Sequence, residues 1–501
     1  MSDPHGQLAV GSALGSNSRA ILGNTIVQGG GKTITALIGI AMVAILTRYL
    51  GAAGFGIYTL AFAYLSFFQT FSDLGLSMVG VRQIAKDPAS ATRVIESVFL
   101  IRFVLSLVAS ISAISLSFAL YPGDSRGQLR AAIAIVSLAI FINMLGSIPV
   151  TYFQARLQMR YATIAEITGR AVTFSLLILV VAFRYPLNAV FAAVAVGYGV
   201  SALINYLFAR DIFRRPSRPD VALSRRLLLD AAPLGLALVV NSIYFRVDTV
   251  ILSLFRSNAE VGWYGFSYRI LEIVVVLFGL FTLSSFPVVV RYLAEADSAR
   301  FRRAAQRAFD FLMITTLPTA AIIFLLAQRI VMLLGGEQFQ PAVVSIQILA
   351  VATAFMGINS FFGIVIIGAN RQRDALWLNF VALALNIAFN LALVPAYGYI
   401  AAAYITIASE IAILIGEIYL VRRFLGFTPQ VGLLPRVILA VAVTSVVAYA
   451  LDRVLMPSFA GTLLVFAAAC VVYAGCTWAL RVVRLSEIIE LVGIRRLDPD
   501  S

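Results

Sequence analysis

Long apolar stretches recur along this chain from about residue 21 to residue 480, with only short polar breaks between them. This recurrence constrains the fold more than any other feature. About 20 apolar helical residues cross a hydrocarbon core roughly 30 Å thick. Fourteen such stretches are read at about 21–48, 54–80, 94–121, 130–152, 162–183, 187–209, 230–255, 260–290, 308–335, 341–369, 375–395, 398–421, 433–455 and 459–480. None alternates apolar and polar residues, so a transmembrane β-barrel is excluded. The composition agrees: 61% hydrophobic and 12% charged residues, with a mean hydropathy of +0.94, leave too little polar surface for a soluble domain. The predicted class is an all-α integral membrane protein of about 14 transmembrane helices, in two pseudo-symmetric six-helix lobes plus two C-terminal helices.

The breaks give the organisation. Tyr49-Leu50-Gly51-Ala52-Ala53-Gly54 and Pro395-Ala396-Tyr397-Gly398 read as tight turns of helical hairpins. Pro216 and Pro219, set among arginines, mark the longest polar linker, after six spans. The resulting division is a polar, irregular tail at 1–20, a first lobe at 21–209, a basic linker at 210–229, a second lobe at 230–421, two further spans within 433–480, and a tail at 481–501. No cleavable signal peptide is expected before the first span.

The net charge is +14, and its placement explains it. Starting inside and alternating, the inner loops and tails hold 26 Lys and Arg. The outer ones hold seven: Arg48, Arg126, Arg130, Arg184, Arg256, Arg329 and Arg453. That bias follows the positive-inside rule and puts both termini in the cytoplasm. It therefore reports topology and contact with membrane lipids, not a nucleic-acid partner.

The chain also repeats. Residues 44–58 align without gaps with residues 250–264, bringing Gly56 to Gly262 and Tyr58 to Tyr264. Six spans separate the copies, so both have the same orientation. Transporters use such repeats to hold a substrate between halves that rock.

Ionisable residues inside spans are costly in lipid and normally face a cavity or a partner. Lys32 lies about eleven residues into the first span, roughly 17 Å deep at 1.5 Å per residue. Gln28 is one turn before it, and Gly29-Gly30-Gly31 permits a bend. A water-filled cavity suits Lys32 better than snorkelling does. Gly31-Lys32 lacks the earlier glycine of a phosphate-binding loop, because Ile26 stands there. Arg246 and Asp248 lie in the seventh span, Arg269 and Glu272 in the eighth; they are either locking salt bridges or the lining of one cationic cavity. Glu166 and Arg170, at i, i+4, are expected to pair with each other. Glu410 and Glu417 share a face, as a proton or cation relay or as a packing seam; Asn379, Asn386 and Asn390 read as interhelical hydrogen bonding. Arg48 suits the C-terminal end of a helix, and Asp73 and Arg102 are also embedded. His5 is the only histidine, and Cys470 and Cys476, six residues apart on one helix, point to different sides, so no disulfide is expected. No catalytic constellation, metal site or cofactor motif is read.

Ile45-Leu46-Thr47-Arg48-Tyr49-Leu50-Gly51 with Phe55-Gly56-Ile57-Tyr58, then Asp73-Leu74-Gly75-Leu76, resembles the opening of the polysaccharide flippases. These belong to the multidrug/oligosaccharidyl-lipid/polysaccharide exporter superfamily. Asp248-Thr249-Val250-Ile251-Leu252, Val261-Gly262-Trp263-Tyr264, Tyr268-Arg269-Ile270, Gly368-Ala369-Asn370-Arg371-Gln372-Arg373, Asn386, Asn390 and Leu393-Val394-Pro395-Ala396-Tyr397-Gly398 are similar to its second lobe. The resemblance covers about residues 20–425. It implies two six-helix lobes around a central cavity, in the bacterial cytoplasmic membrane, and no enzyme. The implied cargo is an O-antigen, capsule or exopolysaccharide repeat unit on a polyprenyl diphosphate. It also implies a diphosphate held by cations, for which Lys32, Arg246, Arg269 and Arg48 are the candidates. Asp73, Asp248, Glu272, Glu410 and Glu417 would pair charges or couple ions. A polysaccharide polymerase or another glycan-assembly protein would be a partner. A cation-coupled multidrug antiporter of the same superfamily is the rival reading, and a polytopic glycan-assembly enzyme a lesser one.

Overall fold

The computed structural model describes residues 4–123, 126–214, 220–295 and 298–482, with side chains from Val27 onward except at residues 280, 283–289 and 294. The proline-containing stretch 215–219 and the tail beyond residue 482 lie outside the described residues. Every described element is a helix. Lipid offers the backbone no hydrogen-bond partner, so only structures that satisfy their own N–H and C=O groups can cross it.

Twelve helical stretches are long and apolar enough to cross a membrane. Two are far too long for one crossing: Val27–Lys86, with 60 residues, and Gln372–Leu425, with 54. Each bends at a glycine in the left-handed region, Gly51 (φ 65°) and Gly398 (φ 61°). A residue with a Cβ strains there, whereas glycine does not. Each long stretch therefore holds two spans, which accounts for the fourteen expected. Both bends fall inside the turns read from the sequence. Gly29, Gly30 and Gly31, by contrast, stay within regular helix; the only non-helical residue in α1 (Pro4–Asp73) is Gly51. The expected bend at the glycine run is absent. The segment read as an irregular tail also continues the first helix, from Pro4.

Contacts divide the chain into two compact units, Met1–Ala259 and Glu260–Ser501. In the first, α1 is followed by α2 (Leu76–Lys86), α3 (Ala91–Leu120), α4 (Gly127–Gly146) and α5 (Ile148–Ala155). Then come α6 (Met159–Ala182), α7 (Leu187–Phe208), the single turn α8 (Arg210–Phe213) and α9 (Val221–Phe255). Helix α7 packs on α4 and α6, and α1 packs on α6 and α9. The segment 210–229 read as a linker is thus helical at both ends. A core of Leu76, Val94, Val98, Ile148, Phe153 and Leu227 joins α2, α3, α5 and α9. Leu37, Val108 and Leu207 are exposed. Scattered apolar side chains of this kind suit a surface wrapped by acyl chains.

In the second unit, α10 (Asn258–Ala294, beginning at the boundary), α11 (Ser298–Ile330) and α12 (Ala342–Gly368) precede the bent α13 (Gln372–Leu425). Helices α14 (Leu434–Val454) and α15 (Phe459–Ala479) complete it. Helix α12 packs on α11 and α13 around Phe309, Leu312, Phe361, Phe362 and Val365. The final pair is fastened by Arg329 at the end of α11. This buried guanidinium pairs with Asp452 and donates to the Asp452, Leu455 and Met456 carbonyls. The open carbonyls at the end of α14 thereby gain a cation, as a helix C-terminus favours.

Candidate functional site

The first unit contains a cavity of about 250 Å³ between α1, α4, α6 and α7. Lys32 and Gln28 come from α1, Asn143 from α4, Glu166 from α6, and Tyr198 and Asn205 from α7. The walls come close because Gly31 packs against Thr163 of α6; a Cβ at Gly31 would collide with the threonine methyl. The glycine that was expected to loosen the helix instead lets two helices touch.

Lys32 Nζ donates to both carboxylate oxygens of Glu166, each at 3.2 Å. The Lys32 side chain remains 62% exposed and that of Glu166 39%. This corrects the expected Glu166–Arg170 pair: Glu166 reaches across to another helix rather than along its own. Asn205 is buried and donates to the Gly146 carbonyl at 3.0 Å, while its own Oδ1 has no partner among the described residues. The cavity thus offers a cation, a carboxylate, amides and hydroxyls, a mixture suited to a phosphorylated, hydroxyl-rich ligand.

The other candidates fall into separate places. Asp73 pairs with Arg102, which is 2% exposed and also donates to Ser77 and, at 3.2 Å, to Ser147. That cluster clamps the break between α1 and α2, where Leu74 (φ 42°) and Gly75 (φ 79°) leave the helical region. Arg48 is exposed, three residues before the Gly51 bend. Arg246 is half-buried in α9, and the buried Asp248 accepts the Thr249 N–H at 2.7 Å. In the second unit Arg269 pairs with Glu272 at 3.1 Å, the i, i+3 pair legible in the sequence. Glu410 and Glu417 are both buried in α13. Asn359 of α12 donates to Glu410 Oε2 at 2.7 Å, while Glu417 Oε2 has no partner among the described residues. Asn390 donates to Asn386, and Asn386 to Ser409, forming the expected amide seam; Asn379 is half-buried outside it.

Sequence reading missed Asn143, Tyr198 and Asn205 as cavity walls and Asn359 as the partner of Glu410. Each is a polar residue inside an apolar span, which was the available signal. Among the described residues, no group of three or more His, Cys, Asp or Glu side chains could hold a metal ion.

Residues 21–293 match the family profile "Polysaccharide biosynthesis protein", more than half of the chain. The chain belongs to the polysaccharide biosynthesis protein family. Residues 233–392 also match the MatE profile, so the resemblance to the flippases of the multidrug/oligosaccharidyl-lipid/polysaccharide exporter superfamily is borne out. Two archaeal proteins are similar at the level of sequence. An uncharacterized membrane protein of Methanocaldococcus jannaschii, MJ1068, is 22% identical over 396 residues, covering 73% of this chain and 77% of its own. The "probable low-salt glycan biosynthesis flippase Agl15" of Haloferax volcanii is 19% identical over 369 residues, covering 73% and 76%. Among solved structures, the lipid II flippase MurJ in an inward closed conformation superposes with a TM-score of 0.76 at 15% identity, covering 94% of this chain and all of that one. An inward-facing multidrug resistance MATE transporter gives 0.66 at 15% identity, covering 78% and 94%. These likenesses establish the fold: this member of the polysaccharide biosynthesis protein family has the architecture of a multi-pass transporter.

Proposed function

We propose that the protein is a flippase that carries a polyprenyl-diphosphate-linked oligosaccharide across the bacterial cytoplasmic membrane by alternating access, with both termini cytoplasmic. The cargo class is an O-antigen, capsule or exopolysaccharide repeat unit. Family membership supports the glycan, and the observation that carries the reading is Lys32, an exposed cation set well inside an apolar span and beside a cavity. A diphosphate cannot enter hydrocarbon unaccompanied, because an isolated ion is very costly at low dielectric. Fixed cations at membrane depth offset that cost. Lys32 and Arg246 of the first unit and Arg269 of the second are the proposed contributors, with Arg48 near the Gly51 bend. Glu166 and Glu272 hold their cations while no cargo is bound. The reading involves no catalytic step; a polysaccharide polymerase would act on the delivered product.

The MatE match supports a cation-coupled multidrug antiporter as the alternative. Embedded lysine and arginine disfavour it, since they repel cationic drugs. The test is complementation of a glycan-export mutant, with protein level checked in the membrane. Changing Lys32, Arg246 and Arg269 to Gln should abolish export while insertion stays normal. Arg269→Lys should be partly tolerated, because a point charge replaces a planar fork. Normal export by the triple variant would falsify the cationic site.

A further inference from the structure

The pairing of Glu166 has a local competitor. Arg170 follows it by one turn on the same face of α6, within reach of the same carboxylate. It is half-buried and makes no ion pair or hydrogen bond among the described residues. Its guanidinium lies over Gly39 of α1; a Cβ built there would stand 4.0 Å from the nearer terminal nitrogen. Lys32 and Gly39 are seven residues apart on α1, two turns along one face and about 10 Å in depth. The seam between α1 and α6 therefore presents two cations at different depths and one carboxylate that can serve either.

We propose that Glu166 is an exchangeable counter-ion shared by Lys32 and Arg170, and that the cation it leaves is a binding site for a phosphate group. The proposal rests on the flippase reading above and adds Arg170 to it as a second, deeper phosphate site. In the observed arrangement Glu166 neutralises Lys32, and Arg170 is the cation left open. An anion entering the cavity competes with Glu166 for Lys32, and the displaced carboxylate turns to Arg170 within its own helix. When Glu166 returns to Lys32, the phosphate passes to Arg170, whose planar fork accepts it in bidentate fashion. The seam carries one net positive charge throughout, so an unbalanced cation is never left alone beside a second one. Only its depth changes, by one to two helical turns, in step with the cargo.

The test uses the full-length protein in nanodiscs, with folding checked by thermal unfolding. Binding is measured for two probes, inorganic pyrophosphate and a short-chain polyprenyl diphosphate. Glu166→Gln should tighten binding of both by about tenfold or more, because the internal competitor is gone. The same variant should fail to transport, since it cannot hand the anion on. Arg170→Gln should weaken pyrophosphate binding by about tenfold or more, because the open cation is lost and a displaced Glu166 has no partner, and should abolish transport; Arg170→Lys should restore part of both. A folded Glu166→Gln protein that binds pyrophosphate no better than wild type overturns the proposal. So does normal transport by Arg170→Gln. If wild type ignores the lipid probe, the flippase reading fails on its own. The pyrophosphate comparison then still decides whether Glu166 is exchangeable.

Discussion

Single residues show where helical spacing stops being informative. Lys32 is visible in the sequence as a cavity residue because a lysine within a span must be accommodated. Its partner is not visible, because Glu166 lies 134 positions away and has a nearer cation on its own helix. Arg269–Glu272 is legible for the opposite reason, both partners lying on one turn. Asp73 and Arg102 sit on different helices, and their pairing emerges only from the packing of α3 on α1. Removing one member of a buried pair strands the other and costs about 3–5 kcal/mol, reduced here because Asp73 is a quarter exposed. Asp73→Asn should therefore lower the unfolding midpoint of the detergent-solubilised protein clearly. The double change Asp73→Asn with Arg102→Met should recover part of the loss. An unchanged midpoint in the single variant would remove the clamp from the account.

At the scale of elements, glycine means two different things in this chain. Gly51 and Gly398 bend their helices, and both were legible because they sit in short turns between apolar runs. The triple glycine at 29–31 was not legible, since a neighbour decides its conformation: Thr163 fills the space beside Gly31. Strain at a positive-φ position costs about 1–3 kcal/mol for a residue with a Cβ. Gly51→Val and Gly398→Val should each reduce the yield of folded protein, while Gly30→Ala, in open helix, should not. Equal yields for all three would remove the special role of the bends. Arg329 makes a second element-level case. Arg329→Gln should speed amide hydrogen exchange at residues 448–456, where it now anchors the end of α14; unaltered exchange would mean that the α14–α15 pair holds without it.

For the whole molecule, the count of spans was legible because lipid acts on each one separately. Each needs about 20 apolar residues wherever it sits in the chain. Contact partners were not legible to the same degree. The internal repeat starts a second copy before α10, whereas contacts group α9 with α1, α2 and α3. An apolar helix reads alike whether lipid or protein faces it, so its composition does not name its neighbour. Topology is the global property that charge predicts. Reporters fused after Arg218 and after Ser501 should both give a cytoplasmic signal, and an external signal from either would break the even count.

The bend at Gly51 bears on how the chain enters the bilayer during synthesis. The first two crossings are joined by helix that reverses at one residue, with no free loop between them. A crossing that carries a lysine near its centre faces an insertion penalty of about 2.5–3.5 kcal/mol on its own. Its follower, residues 54–73, contains no charged side chain before Asp73. Emerging from the ribosome as one hairpin, the second crossing can draw the first in with it, so the insertion cost of the lysine is offset by an apolar neighbour.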